Sequence, residues 1–172
     1  MPEPSQPSTV VLLGMMGAGK TSVGRALAAR TGWRYMDNDE LVRAATGRAA
    51  EDIDATDGTH ALHLAEAAAL RHALNQPGPL VAAAAAWVAT DPASIELLTR
   101  ASAVVYLRAR PQTLHQRIGA GDGRRTDATD LEWLQARFAE RDETYRSLAS
   151  VTVQTDELDV PAVAERIVSA LG

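Results

Sequence analysis

The chain has 172 residues and a formal net charge of −5, which suits one compact domain and excludes a global electrostatic pull toward nucleic acid or anionic membrane. It has no cysteine, which excludes disulfides, thiolate catalysis and cysteine-based metal sites and fits a reducing cytoplasm. Apolar residues make up 46%, but only one is Phe, so a core of helices packed closely on a sheet through small residues is expected.

Residues 1–8 are polar and proline-rich and lack the basic-then-apolar pattern of a signal peptide; a short disordered lead is expected there. Thr9 to Leu13 is a continuous apolar, β-branched run, the mark of a strand buried on both faces. Then comes Gly14-Met15-Met16-Gly17-Ala18-Gly19-Lys20-Thr21, which matches the phosphate-binding pattern G-x-x-x-x-G-K-[ST]. Its glycines let the backbone curl so that successive N–H groups face phosphate oxygens. Lys20 brings a point charge to the β- and γ-phosphates, and the Thr21 hydroxyl is the expected Mg²⁺ ligand. Val23, Ala26, Leu27 and Arg30 follow at helical spacing, so a helix over 21–30 aims its N-terminus at the anion. Lys20 is the only lysine in the chain.

Trp33 to Asp37 reads as a second strand. A helix opens at Asp39, its expected N-cap, and ends at Gly47. Ala49 to Asp54 reads as one further turn or two, with a turn at Asp57-Gly58, and Thr59 to Leu74 as a long helix stopped by Pro77-Gly78-Pro79. Leu80 to Val88 is ambiguous. Ala82 to Ala86 favour helix by propensity, while the place of the segment in the alternation predicts a strand and then a small-residue loop. Asp91-Pro92 opens a helix, Ala103 to Leu107 is a buried strand, and Pro111 starts another helix. Residues 119–127 form a polar, glycine-rich loop. Leu131 to Leu148 is an amphipathic helix, Val151 to Thr155 a last strand, and Val160 to Leu171 a closing helix. Five strands alternating with helices predict a parallel sheet in a three-layer α/β/α domain.

Asp37 and Asp39 stand just beyond the second strand, where ligands of parallel sheets bind. One is suited to hold a Mg²⁺-bound water and the other to accept a proton from an attacking hydroxyl; the plainer alternative is an N-cap and a solvated turn acid. Arg124 and Arg125 suit a loop that closes over ATP, or a solvated loop. Arg141, between Glu140 and Asp142, reads alone as a surface ion-pair residue. His60, His63 and Glu66 follow at steps of three, which drift around a helix and argue against a metal site. Trp87 reads as a core or rim aromatic.

Taken together these pieces resemble the shikimate kinase family. The resemblance runs from Val10 to Leu171 and rests on the phosphate loop continued through Ser22-Val23-Gly24-Arg25, on Asp37-Asn38-Asp39, Thr46-Gly47-Arg48, Asp57-Gly58 and Glu66. Val104 to Leu107, the arginine loop and Arg141 near Tyr145 complete it. It implies a P-loop fold of the nucleoside monophosphate kinase type, with an acceptor-binding subdomain near 39–75 and a lid near 119–130. It also implies ATP and Mg²⁺ as cofactors, and transfer of the γ-phosphate to a hydroxyl of shikimate or a related small molecule. By the resemblance, Gly14, Gly17, Ala18, Gly19, Lys20, Thr21 and Ser22 bind ATP, Asp37 acts on Mg²⁺ through water, and Asp39 bonds the acceptor hydroxyls. Arg141 binds the acceptor carboxylate and Arg124 is the lid arginine, or Arg125 if the loop aligns one residue later. A cytoplasmic monomer is expected, without nucleic-acid or membrane partners.

The departures from the family pattern cluster on the acceptor side. Where the family has Phe-Arg before the glutamate of the long helix, this chain has Leu62-His63. A neutral histidine cannot make the bidentate carboxylate contact of an arginine. The family's three glycines after the third strand fall within Ala83 to Trp87, so Ala84 and Ala85 take the acceptor-facing positions. A pocket Phe is replaced by Asp54, a helix Glu by Arg43, and the proline after the lid arginine by Arg125. The rival reading is a nucleotide-binding module that transfers nothing.

Overall fold

The computed structural model describes residues 9–120 and 130–172; the expected lead (1–8), Arg124, Arg125 and the rest of 121–129 lie outside the described residues. Five strands, β1 (Thr9–Leu13), β2 (Arg34–Asp37), β3 (Leu80–Ala83), β4 (Ala103–Arg108) and β5 (Val151–Gln154), form one sheet in the order β2-β3-β1-β4-β5. Every pairing is parallel, as the alternation predicts. Val10 to Leu13 at its centre are fully buried, because helices cover both faces and each side chain meets apolar atoms whichever way it points.

The helices are α1 (Lys20–Thr31), α2 (Asn38–Thr46), α3 (Ala50–Asp57), α4 (Thr59–Leu74), α5 (Pro92–Leu98), α6 (Pro111–Ala120), α7 (Leu131–Leu148) and α8 (Val160–Leu171). α1 packs against α8, while α2, α3 and α4 pack on one another around a small apolar cluster of their own, Val42, Ile53, Leu62 and Ala69. No helix among the described residues is long and apolar enough to cross a membrane.

Several boundaries differ from the sequence expectation: α6 runs to Ala120, into the loop expected at 119–127, α1 differs by one residue at each end, and β4 and β5 each differ by one residue at one end. β2 starts at Arg34, whose N–H reaches Pro79 O, so Trp33 stays outside it. Asp37, not Asp39, caps α2: its carboxylate accepts the Asp39 N–H at 2.9 Å, and the helix begins at the next residue, Asn38. The segment expected at Ala49 to Asp54 is α3, about two turns as expected, and it runs on to Asp57 with Ala49 as its N-cap.

The alanine run follows its place in the fold over its propensity. It is strand to Ala83, passes through Ala84 and Ala85, and enters a 3₁₀ turn at Ala86–Thr90. Ala85 is extended, at φ −63° and ψ 148°, and no described residue other than glycine has positive φ. The alanines thus make this loop without left-handed backbone.

Register aligns the ends of three strands. Ala83 stands beside Leu12 of β1 on one side and Asp37 of β2 on the other. The loop after β1, the Asp37 carboxylate and the Ala84–Ala85 turn therefore lie in one row at the carboxyl edge of the sheet, where parallel sheets bind ligands.

Candidate active site

The loop between β1 and α1 depends on two left-handed glycines, Gly17 (φ 83°) and Gly19 (φ 94°). A Cβ at Gly17 would also stand 3.0 Å from Ile118 and from Leu114 O of α6. Gly19 is the N-cap of α1 and offers no capping side chain, and the first turn carries no acid. Among the described residues the first N–H groups of α1 thus have no side-chain cap, and they sit at the positive end of a twelve-residue helix. Gly14 and Ala18 are buried, and the Ala18 N–H donates to Met15 O at 3.0 Å. They shape the loop from beneath.

Lys20 curls back over this loop. Its ammonium donates to Gly14 O at 2.7 Å and Met15 O at 3.1 Å. Burial lowers its pKa to about 8; Asp39, Asp37 and Glu66 work against that shift and Arg141 adds to it. Those four charges name the groups gathered around the ammonium.

One turn of chemistry centres on Asp37, which is buried. Its Oδ2 accepts from the Thr21 hydroxyl at 2.9 Å and from the Tyr35 hydroxyl at 2.7 Å, and its Oδ1 accepts the Asp39 N–H. Burial alone would raise its pKa, but the hydrogen bonds from Tyr35, Thr21 and the backbone outweigh it and hold the carboxyl below its usual value. Burial and the Asp37 carboxylate push the Tyr35 phenol far up, so it remains a neutral donor.

Across from the loop, His63 of α4 lies flat on Trp87, with ring centroids 4.0 Å apart and planes 13° from parallel. Glu66, one turn further on α4, is buried, and Asn38 reaches toward both it and Asp39 through long contacts of 3.5 and 3.4 Å. Arg141 enters the same space from α7. Its helix is anchored at two points that follow it: Asp142 takes a bidentate grip from Arg108 of β4 and a bond from Tyr106, and the Tyr145 hydroxyl, one turn on, donates to Ala86 O. This anchoring turns Arg141 inward and corrects the surface ion-pair reading. Its Nε, like Trp87 Nε1, is buried without a hydrogen-bond partner among the described residues.

These groups enclose a cleft of about 500 Å³. From the phosphate loop and α1 it is lined by Gly17, Gly19, Lys20, Thr21 and Ser22; from the other side by Asp37, Asp39, His63, Ala84, Ala85 and Arg141. No cluster of three metal-ligating side chains occurs among the described residues.

Sequence reasoning missed two lining or supporting groups. Arg117 of α6 lines the cleft and donates to Thr155 Oγ1 at 3.1 Å and Thr155 O at 2.8 Å; nothing in its local pattern sets it apart. Tyr35 had a signal. It stands two residues before Asp37 on a strand, and strand residues at that spacing share a face.

The family model for shikimate kinase matches residues 16–172. The chain is 36% identical over 168 residues to a shikimate kinase of Halorhodospira halophila, covering 96% of this chain and 94% of that one. It is 31% identical over 169 residues to a shikimate kinase of Moorella thermoacetica, covering 96% and 95%. Among solved structures, the shikimate kinase from Acinetobacter baumannii in complex with shikimate superposes with a TM-score of 0.86 at 28% identity, covering 94% of this chain and 91% of that one. A gluconokinase from Sinorhizobium meliloti 1021, at TM-score 0.69 and 19% identity over 96% and 92%, shares the fold.

Proposed function

The chain belongs to the shikimate kinase family, and we propose that it transfers the γ-phosphoryl group of ATP to a hydroxyl of shikimate, with Mg²⁺ as cofactor, as a monomer in the cytoplasm. One observation carries this reading: Lys20 and Thr21 of a phosphate loop share a single cleft with Asp39 and Arg141. A donor site and an acceptor site that open into the same space suit direct transfer.

The residues fit the cofactors. The Thr21 hydroxyl and the Asp37 carboxylate are hard oxygen donors held together, the kind Mg²⁺ takes, and phosphate oxygens and water complete its shell in such sites. Mg²⁺ bound there supplies charge neutralisation on the phosphates. The uncapped N–H groups of α1 and the Lys20 ammonium suit the phosphates themselves.

Phosphoryl transfer leaves little covalent work to a protein, so catalysis is positioning and charge stabilisation. Asp39 orients the acceptor hydroxyl and takes its proton as that oxygen bonds to the γ-phosphorus and the bond to ADP breaks. Lys20 exchanges its bonds to Gly14 O and Met15 O for phosphate oxygens, which develop charge. Arg141 pairs with the acceptor carboxylate; its partnerless Nε supports that role. We assign closure of the site to Arg124. The three helices α2, α3 and α4, which share one apolar cluster, form the acceptor-binding subdomain.

On the acceptor side Arg141 stands beside His63 and the Ala84–Ala85 turn, with no second arginine at the His63 position. A missing charge-assisted bidentate contact is worth about 1.5–3 kcal/mol, or about 10- to 150-fold in binding. Shikimate is therefore expected to bind weakly and still turn over. That same wall favours the second reading, a nucleotide-binding protein without transfer. Assay of ADP release with Mg²⁺-ATP and shikimate, beside a panel of cyclic polyols and sugar acids, separates the two. Turnover with shikimate supports the kinase; ATP binding with no turnover across the panel supports the module.

A further inference from the structure

The Asp37 carboxylate has a partner that the phosphate loop does not supply. Tyr35 lies on the edge strand β2 with its ring against α1. A Cβ at Gly24 would stand 2.3 Å from Tyr35 Cε2 and 3.0 Å from Cδ2 and Cζ, so the ring occupies the space that the missing Gly24 side chain leaves. Gly24 is three residues after Thr21, on the same face of α1. The ring thus runs beneath Thr21, and its hydroxyl meets the same Asp37 oxygen that the Thr21 hydroxyl meets, at 2.7 and 2.9 Å respectively.

Two hydroxyl donors on one oxygen have a geometric consequence. Thr21 has one O–H and two lone pairs. With its proton directed to Asp37 Oδ2, its lone pairs are directed away from that carboxylate. Asp37 holds the Thr21 proton in that direction only while its own carboxylate plane is fixed. The Asp39 N–H holds Oδ1, and the Tyr35 hydroxyl holds Oδ2 beside the Thr21 hydroxyl. Without the phenol, the carboxylate loses one of the bonds that hold it about its last bond, and the direction of the Thr21 hydroxyl is held less firmly.

We propose that Tyr35 is a positioning residue for the divalent cation: wedged against Gly24, it locks the Asp37 carboxylate so that the Thr21 hydroxyl presents its lone pairs to the metal. The proposal rests on the Mg²⁺-ATP reading above. Tyr35 touches neither nucleotide nor acceptor in this role; it acts through Asp37 and Thr21.

The test is calorimetric ATP binding to wild type and Tyr35→Phe, each in excess Mg²⁺ and in EDTA. The substituted ring keeps its place against Gly24 and loses only the hydroxyl. The expected result is an affinity about 5- to 10-fold weaker than wild type in Mg²⁺, and unchanged within about twofold in EDTA, with a cooperative melting transition retained. Equal losses in both conditions, or no loss in Mg²⁺, overturn the proposal, because a merely structural tyrosine would not discriminate between them. In an Asp37→Asn background, Tyr35→Phe is expected to add less than about a twofold further loss in Mg²⁺; a full second loss overturns the route through Asp37. If wild type itself binds ATP no more tightly in Mg²⁺ than in EDTA, the Mg²⁺-ATP reading fails and takes the proposal with it.

Discussion

His63 and Trp87 stack face to face at 4.0 Å, and both line the cleft that the phosphate loop also lines. The family pattern has an arginine where His63 stands, and the function proposed above gives the electrostatic grip on a carboxylate to Arg141. His63→Arg is predicted to lower the KM for shikimate about 10-fold while leaving the KM for ATP within about twofold. Steady-state kinetics with each substrate varied in turn checks this. A rise in the shikimate KM would mean that the stack itself contributes to acceptor binding.

The Lys20 ammonium donates to two backbone carbonyls of its own loop. Lys20→Ala is predicted to reduce phosphoryl transfer by about 100-fold or more, the scale of losing one positioned charge at developing phosphate charge. Its melting temperature should stay near that of wild type. An unchanged rate would move the site away from this loop.

Gly24 and Tyr35 are matched in size across α1 and β2. Gly24→Ala is predicted to destabilise the protein by about 1–3 kcal/mol, because the new methyl overlaps a ring atom in a packed interior. Denaturant unfolding measures it. Combining the change with Tyr35→Leu should recover part of the loss, since the smaller side chain vacates the contested space.

Much of this architecture is legible in the sequence because its signals are local. The phosphate loop is eight consecutive residues, and the apolar run at Thr9 to Leu13 declares a buried strand by itself. The alanine run is harder: propensity argues for helix, and only the position between a proline-glycine stop and the next helix argues for strand. The acceptor side is least legible, because its contacts are long-range. Arg141 sits between two acids like any surface arginine, and what turns it inward is the grip of Arg108 on Asp142 and the reach of Tyr145 to Ala86. The stack joins His63 to Trp87 from different elements, and no sequence pattern announces such a pair. Even the cap of α2 is ambiguous in sequence, since Asp37 and Asp39 are both good caps. Only the fold, by directing Asp37 to Thr21 and the Asp39 N–H at once, makes one residue serve both purposes.

Asp156 gives a pH-dependent term to stability away from the cleft. Burial alone would raise its pKa, but bonds from Thr113, the Arg110 N–H, Gln154 and the Arg110 guanidinium outweigh it and depress the value. A carboxyl depressed in the folded state contributes stability above its unfolded pKa, about 3.9, and loses it as pH falls toward the folded value. Asp156→Asn is therefore predicted to melt below wild type at pH 7, with the gap closing progressively below about pH 4. A gap that stays constant with pH would contradict this account of Asp156.

The most direct test of the account is a single assay: ADP release and phosphorylated shikimate measured together, with Mg²⁺-ATP and shikimate raised to millimolar concentration, for wild type and Arg141→Ala. The account predicts equal amounts of the two products from wild type, dependence on Mg²⁺, and a shikimate KM raised more than about 10-fold by Arg141→Ala with the ATP KM little changed. ATP binding without either product, or a shikimate KM indifferent to Arg141, would contradict it.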